Sequence, residues 1–206
     1  MNYIFILIET IIIFLLMLLL YKYCKKDGLF LYIGFMSILL CIFMFKSIDI
    51  LSFEVDLGIP FIVGIFLSSN IIVQRYGIDE VKRIIKSFAV PYVITIVILG
   101  LVSLIDSSQY NNFVNDSYNG IFGYDLNNIR LIVGGFLSIG FTLWYNCYIY
   151  YYIRKNRNKY LFSNIGSMLI IQFAESILFV IIAYVGVYEF NMLFGMIVIR
   201  YLFKLI

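Results

Sequence analysis

Two polar side chains in the stretch SNIGSMLIIQFAESILFVIIAY (Ser163–Tyr184) sit where lipid normally forbids them. About 20 apolar residues at about 1.5 Å rise cross a hydrocarbon core of roughly 30 Å, so this stretch is predicted to span a bilayer as a helix. Gln172 and Glu175 lie in its middle, three apart, and therefore share a helix face. Ser167 and Ser176 fall near that face, and Ser163 and Asn164 at its entrance. A carboxylate at bilayer depth costs on the order of 3 kcal/mol, which a partner group, trapped water, a proton or a ligand must offset. The reading that starts from these two residues is a ligand site inside a transporter.

Other mid-span polar groups are few. Asn70 and Gln74 are four apart on one predicted helix, and Asn146 lies deep in another, beside Trp144 and Tyr145. No His or Lys is placed at the depth of Glu175 as an ion-pair partner, so a direct ligand contact or proton coupling at Glu175 is open. If these groups line one cavity, their chemistry suits a flat polar heterocycle. An ionised carboxylate accepts two parallel N–H donors, amides both donate and accept, and Trp144 or Tyr145 could stack on the ring. Composition alone does not choose a nucleobase over another small polar solute. The bland alternative is that the same groups glue helices together, at about 0.6 kcal/mol each.

The elements that must hold these residues follow from composition. The chain is 63% hydrophobic and 13% charged, more apolar than a soluble domain of its 206 residues can hide. It reads as a single all-α domain over residues 1–206, a polytopic membrane helix bundle of about seven transmembrane helices. The spans are predicted at about Tyr3–Tyr23, Leu29–Phe45, Leu57–Gln74, Ile84–Ile105, Ile129–Ile153, Ser163–Tyr184 and Phe190 to the end. Gly58, Pro60 and Gly64 are expected to loosen the third, and Pro91 to kink the fourth. KSIDILSFEVD and DSSQYNNFVNDSYNGIFGYDLNN read as acidic or polar loops, with Glu9 near the outer interface.

Charge sets the orientation. Lys22, Lys25 and Lys26, then Lys82, Arg83 and Lys86, then Arg154, Lys155, Arg157 and Lys159 alternate with loops carrying Asp49, Glu54, Asp56, Asp106, Asp116, Asp125 and Glu189. The positive-inside rule then places the N-terminus outside and the C-terminus in the cytoplasm. The apolar N-terminal segment has neither the basic start nor the small-residue cleavage site of a signal peptide and is expected to stay as a helix. Net charge of +3 gives no sign of nucleic-acid binding. The absence of histidine removes HExxH zinc sites and Ser-His or Cys-His nucleophiles. Cys24, Cys41 and Cys147 are single and read as apolar fillers, so neither a metal nor a cofactor is expected.

Four blocks together carry a resemblance: FLSSNIIVQRYGIDEVKRII (Phe66–Ile85), RLIVGGFLSIGFTLWYNCYIYYYIRK (Arg130–Lys155), SMLIIQFAESILFVIIAYVG (Ser167–Gly186) and the closing YLFK (Tyr201–Lys204). KKDGLFLYI (Lys25–Ile33) adds to them. Their order and spacing resemble the queuosine precursor transporter family, the vitamin-uptake-like membrane proteins. The resemblance implies a six-helix core with an added N-terminal helix. It implies an importer, not an enzyme, that carries a 7-deazaguanine base such as 7-cyano-7-deazaguanine or 7-aminomethyl-7-deazaguanine across the inner membrane, supplying tRNA modification. Alternating access around a mid-membrane site would be the mechanism.

The site implied by the residues and the resemblance together places Asn70, Gln74, Trp144, Asn146, Gln172 and Glu175 on the substrate, with Arg130, Ser167 and Lys204 in gating or support. Arg130 and Lys204 stand at span ends and could instead snorkel to the interface. Asn70 and Asn146 occupy positions where the family commonly has aspartate, and Glu175 is one methylene longer than its Asp. Fewer acids favour the neutral cyano base over the cationic aminomethyl one.

A rival reading is a substrate-binding membrane subunit that needs a separate ATPase module, since the chain itself has no P-loop. An intramembrane enzyme is disfavoured by the lack of paired acids or a Ser-Lys dyad at depth, and a helix-packing scaffold would make the deep amides glue alone. Expected partners are the small-molecule substrate and membrane lipid, with a homo-oligomer left open.

Overall fold

The chain's apolar runs become helices because lipid offers the backbone no hydrogen-bond partners, leaving the intrahelical ladder as the way to satisfy it. The computed structural model describes residues 2–50, 53–105, 112–157 and 160–205. Asp106, at the start of the fourth inter-span loop, and Lys159 lie outside the described residues, as does the side chain of Arg157. Seven α-helices and one two-stranded sheet occur among the described residues.

Helix α1 (Asn2–Phe43) holds the first two predicted spans in one 42-residue run, broken at Lys25, whose φ of 50° is left-handed. The two arms, 2–24 and 26–43, fold back on each other. Tyr32 Oη donates to Ile13 O across 3.3 Å, although 19 residues of straight helix would separate them by about 28 Å. The next segment departs from the predicted loop. β1 (Ser47–Ile50) and β2 (Phe53–Asp56) pair antiparallel, Ser47 opposite Asp56 and Ile50 opposite Phe53.

Helix α2 (Ile59–Tyr76) follows at once, with Pro60 in its first turn. There the ring has no intrahelical donor to lose, so Pro60 starts the helix rather than loosening it. α2 is the inner helix, with two-thirds of its length buried. Gly64 permits this, because a Cβ there would strike the Tyr32 hydroxyl and come within 3.3 Å of Ile13. After a short 3₁₀ turn (Ile78–Glu80), α3 (Val81–Ser103) runs through Pro91 as one helix.

The polar fourth loop contains α4 (Asn112–Phe122), an element the sequence reading left as loop. α5 (Leu126–Arg157) and α6 (Tyr160–Tyr184) form the most extensive helix pair, and α7 (Phe190–Leu205) returns along α6. Among the described residues, five helices are long and apolar enough to cross a membrane, α1 being two segments in one; α7, at 16 residues, is shorter than they are. The architecture is an all-α membrane helix bundle with a small hairpin at one end.

Ion pairs sort the connections by end. Lys26 pairs with Glu80 and Arg83 with Asp27, both at 2.7 Å, joining the first basic loop to the second. At the opposite end Phe45 meets Phe122 edge-on, and Tyr188 Oη donates to Glu54 at 3.2 Å. Burial and the Glu54 carboxylate push the Tyr188 phenol up, so it stays a donor there. The basic connections and the acidic ones therefore lie at opposite ends of the bundle.

Candidate functional site

The buried face of α6 carries the polar residues upward in steps: Ser163, Ser167, Gln172, then Glu175 and Ser176. Neighbouring helices meet these steps with two separate polar clusters.

The lower cluster is made of amides and hydroxyls from three helices. Asn70 Nδ2 on α2 donates to Asn164 Oδ1 (2.6 Å) and to Ser167 Oγ (3.2 Å) on α6. Asn146 Nδ2 on α5 donates to Asn70 Oδ1 (2.7 Å) and to Ser69 Oγ (3.1 Å). Gln74 lies one turn further along α2, where its Oε1 accepts from Tyr150 Oη at 3.1 Å. Asn70 and Asn146 thus face each other, as an amide lock between α2, α5 and α6.

The upper cluster is ionic and differs from expectation. Glu175 is fully buried, yet Lys204 Nζ pairs with its Oε2 and Arg200 Nη2 stands 3.3 Å from its Oε1. Ser138 Oγ on α5 donates to the same Oε1 at 3.3 Å. Arg200 also pairs through Nη1 with Asp56, the last residue of the hairpin, and lies over the Phe179 ring at 3.9 Å. Two acids and two cations alternate in a chain Asp56–Arg200–Glu175–Lys204, all under 7% exposed. Burial without such pairing would be prohibitive at this depth.

The expectation that no cation reaches Glu175 fails because α7 turns straight back after α6 and brings its last turns to the middle of that helix. Lys204 does not snorkel. Its remaining donors go to Ser176 Oγ (2.9 Å) and Gln172 O (3.4 Å), so its three N–H groups are committed.

Gln172 sits between the clusters. It is 1% exposed, and neither Nε2 nor Oε1 has a hydrogen-bond partner among the described residues. It lines a cleft of about 740 Å³ walled by Ile6, Thr10 and Phe14 of α1, Pro60 and Val63 of α2, Met168 of α6, and Phe203 and Lys204 of α7. A cleft of this size and mostly apolar lining, with few polar groups, matches the general form of small-molecule sites.

Two expected site residues stand elsewhere. Trp144 is 46% exposed on the outer side of α5, near-parallel to Tyr148, and joins neither cluster. Arg130 donates to the Val185 carbonyl and so ties the start of α5 to the turn after α6. Arg154 packs on the Tyr160 ring at 3.6 Å across the α5–α6 connection.

Sequence reasoning missed Arg200 and Asp56. The signal was present: Arg200 and Lys204 are four apart in an apolar run, hence on one face, and two cations in such a run require acids. It also missed Ser69, Ser138 and Asn164 as partners, since hydroxyls and a helix-end amide give no pattern until the helices are placed.

The comparisons with known proteins agree with one another. The family described as "putative vitamin uptake transporter" matches residues 56–206, the part from the end of the hairpin through α7. A Bacillus subtilis (strain 168) protein described as "probable queuosine precursor transporter" is 26% identical over 200 residues, covering 95% of this chain and 85% of the relative. No solved structure matches.

Proposed function

Because the chain belongs to the vitamin uptake transporter family, and so is a multi-pass membrane transporter and not an enzyme, we propose that its cargo is a neutral 7-deazaguanine base, 7-cyano-7-deazaguanine above all. It is taken inward across the inner membrane, with the basic ends of the helices in the cytoplasm and the hairpin end outside. Alternating access around the Gln172 cleft is the mechanism.

The observation that carries this reading is the Gln172 carboxamide, buried, without a partner and set in the cleft wall. A buried amide left unpaired costs about 1–3 kcal/mol, so its retention points to a ligand that pairs with it. One carboxamide offers a donor and an acceptor side by side. The lactam edge of a guanine-like base, N1–H beside C6=O, is the complementary pair. Apolar walls with Phe14 and Phe203 suit a flat ring. Glu175 is not the anchor in this reading, because Ser138, Arg200 and Lys204 already occupy its oxygens. Among the described residues, no carboxylate stands in the cleft lining to meet a cationic ligand, which argues for the cyano over the aminomethyl base. The relative's description, which names a queuosine precursor, supports the same class.

The test is Gln172→Leu. It is expected to abolish uptake of 7-cyano-7-deazaguanine and the ligand-induced rise in unfolding temperature, while the unliganded protein unfolds no earlier than wild type, since an unsatisfied polar group has been removed. Wild-type uptake by that variant, or better transport of the aminomethyl base than of the cyano base, contradicts the proposal.

A further inference from the structure

Two cavities border the hairpin. Ile50 of β1 lines the Gln172 cleft, and Lys46, Ser47 and Asp49 line an adjoining space of about 600 Å³ that shares Ile6 with it. A two-stranded hairpin is marginal by itself, so something must hold this one down. Three contacts do. Phe53 seats its ring in the gap left by Gly195 of α7, where any Cβ would overlap it. Glu54 accepts from Tyr188 in the turn before α7. Asp56 pairs with Arg200, whose other nitrogen faces Glu175.

We infer that the paired strands β1 and β2 are the gate over the Gln172 cleft, and that Asp56 and Arg200 are its latch. The inference rests on the transport reading above. The buried ion chain explains why a gate would be wired to the site. If Asp56 leaves with the hairpin, Arg200 keeps only Glu175 as a counter-ion, and Glu175 is the group that holds Lys204 at the cleft wall. The ion chain thus links docking of the strands to the charge beside Gln172, and repacking of such ionic contacts is a common basis for gating.

The experiment pairs Phe53→Cys with Gly195→Cys in a Cys24→Ser background, in proteoliposomes with 7-cyano-7-deazaguanine as the probe. The reduced protein is expected to take it up. Oxidation to the disulfide is expected to abolish uptake, and reduction to restore it. Uptake that is unchanged by complete cross-linking overturns the gate. Absence of uptake by wild type tells instead against the transport reading, and the two failures are separable.

A second measurement needs no transport. Thr10→Cys, in the cleft wall and in the same Cys24→Ser background, is expected to react faster with a water-soluble maleimide when Asp56→Asn is added, and slowly again with Asp56→Glu. No change in rate in a variant that keeps its cooperative unfolding transition overturns the latch.

Discussion

At the scale of single residues, partner counting sets the consequences of each substitution. Asn70 both donates, to Asn164 and Ser167, and accepts, from Asn146. An ionised aspartate at 70 keeps the acceptor and loses both donations. Asn70→Asp is therefore expected to destabilise the protein by about 1–3 kcal/mol, measured as a lower unfolding temperature in detergent. In this chain the amide at 70 is required by the side-chain oxygen of Asn164, another amide. Glu175 and Lys204 rank differently. Lys204→Met leaves Glu175 with Arg200, whereas Glu175→Gln leaves Lys204 with no counter-ion among the described residues. Loss of one partner of a buried pair costs about 3–5 kcal/mol, and Glu175→Gln is expected to lie at the upper end with Lys204→Met below it. The reverse order of unfolding temperatures would show that Arg200 is not a working partner of Glu175.

At the scale of elements, the sequence is most legible where lipid does the specifying. The runs at Ile84–Ile105 and Ser163–Tyr184 became α3 and α6 almost end for end, since an apolar run in lipid has the helix as its available form. The hairpin was illegible for the opposite reason. Its alternation, Ile48 and Ile50 against Phe53 and Val55, is short and interrupted by Asp49 and Glu54, and its stability comes from Gly195 and Arg200, which are far away in sequence. The site was half legible for the same reason. Gln172, Glu175, Asn70 and Asn146 were visible as polar groups at depth, but which would meet which depended on α7 packing against α6. Close approach gives a sharp test. Gly64→Leu drives a side chain into Tyr32 between α1 and α2 and is expected to cost about 1–3 kcal/mol or more. Gly120→Ala in α4 meets nothing within 4 Å and is expected to be neutral or to stabilise by about 0.5–1 kcal/mol. Parallel unfolding curves of the two variants check both.

At the scale of the whole molecule, charge and packing agree on two ends but only charge says which faces the cytoplasm. Lys26, Arg83 and their partners gather at one end; Glu54, Tyr188 and Asp125 belong to the other. Moving basic loops across a membrane is the disfavoured step in insertion, so the Lys25 end is expected inside. Two positions report on this directly. Cys24 is exposed beside the Lys25 break, and Glu189 is exposed in the turn between α6 and α7. In intact spheroplasts a membrane-impermeant maleimide is expected to leave Cys24 unlabelled and to label Glu189→Cys in a Cys24→Ser background. Permeabilisation should then bring Cys24 to full labelling. The inverse pattern would turn the molecule over. The hairpin and its cleft would then face the cytoplasm, and the Asp56–Arg200 contact would have to govern release of the cargo rather than its entry.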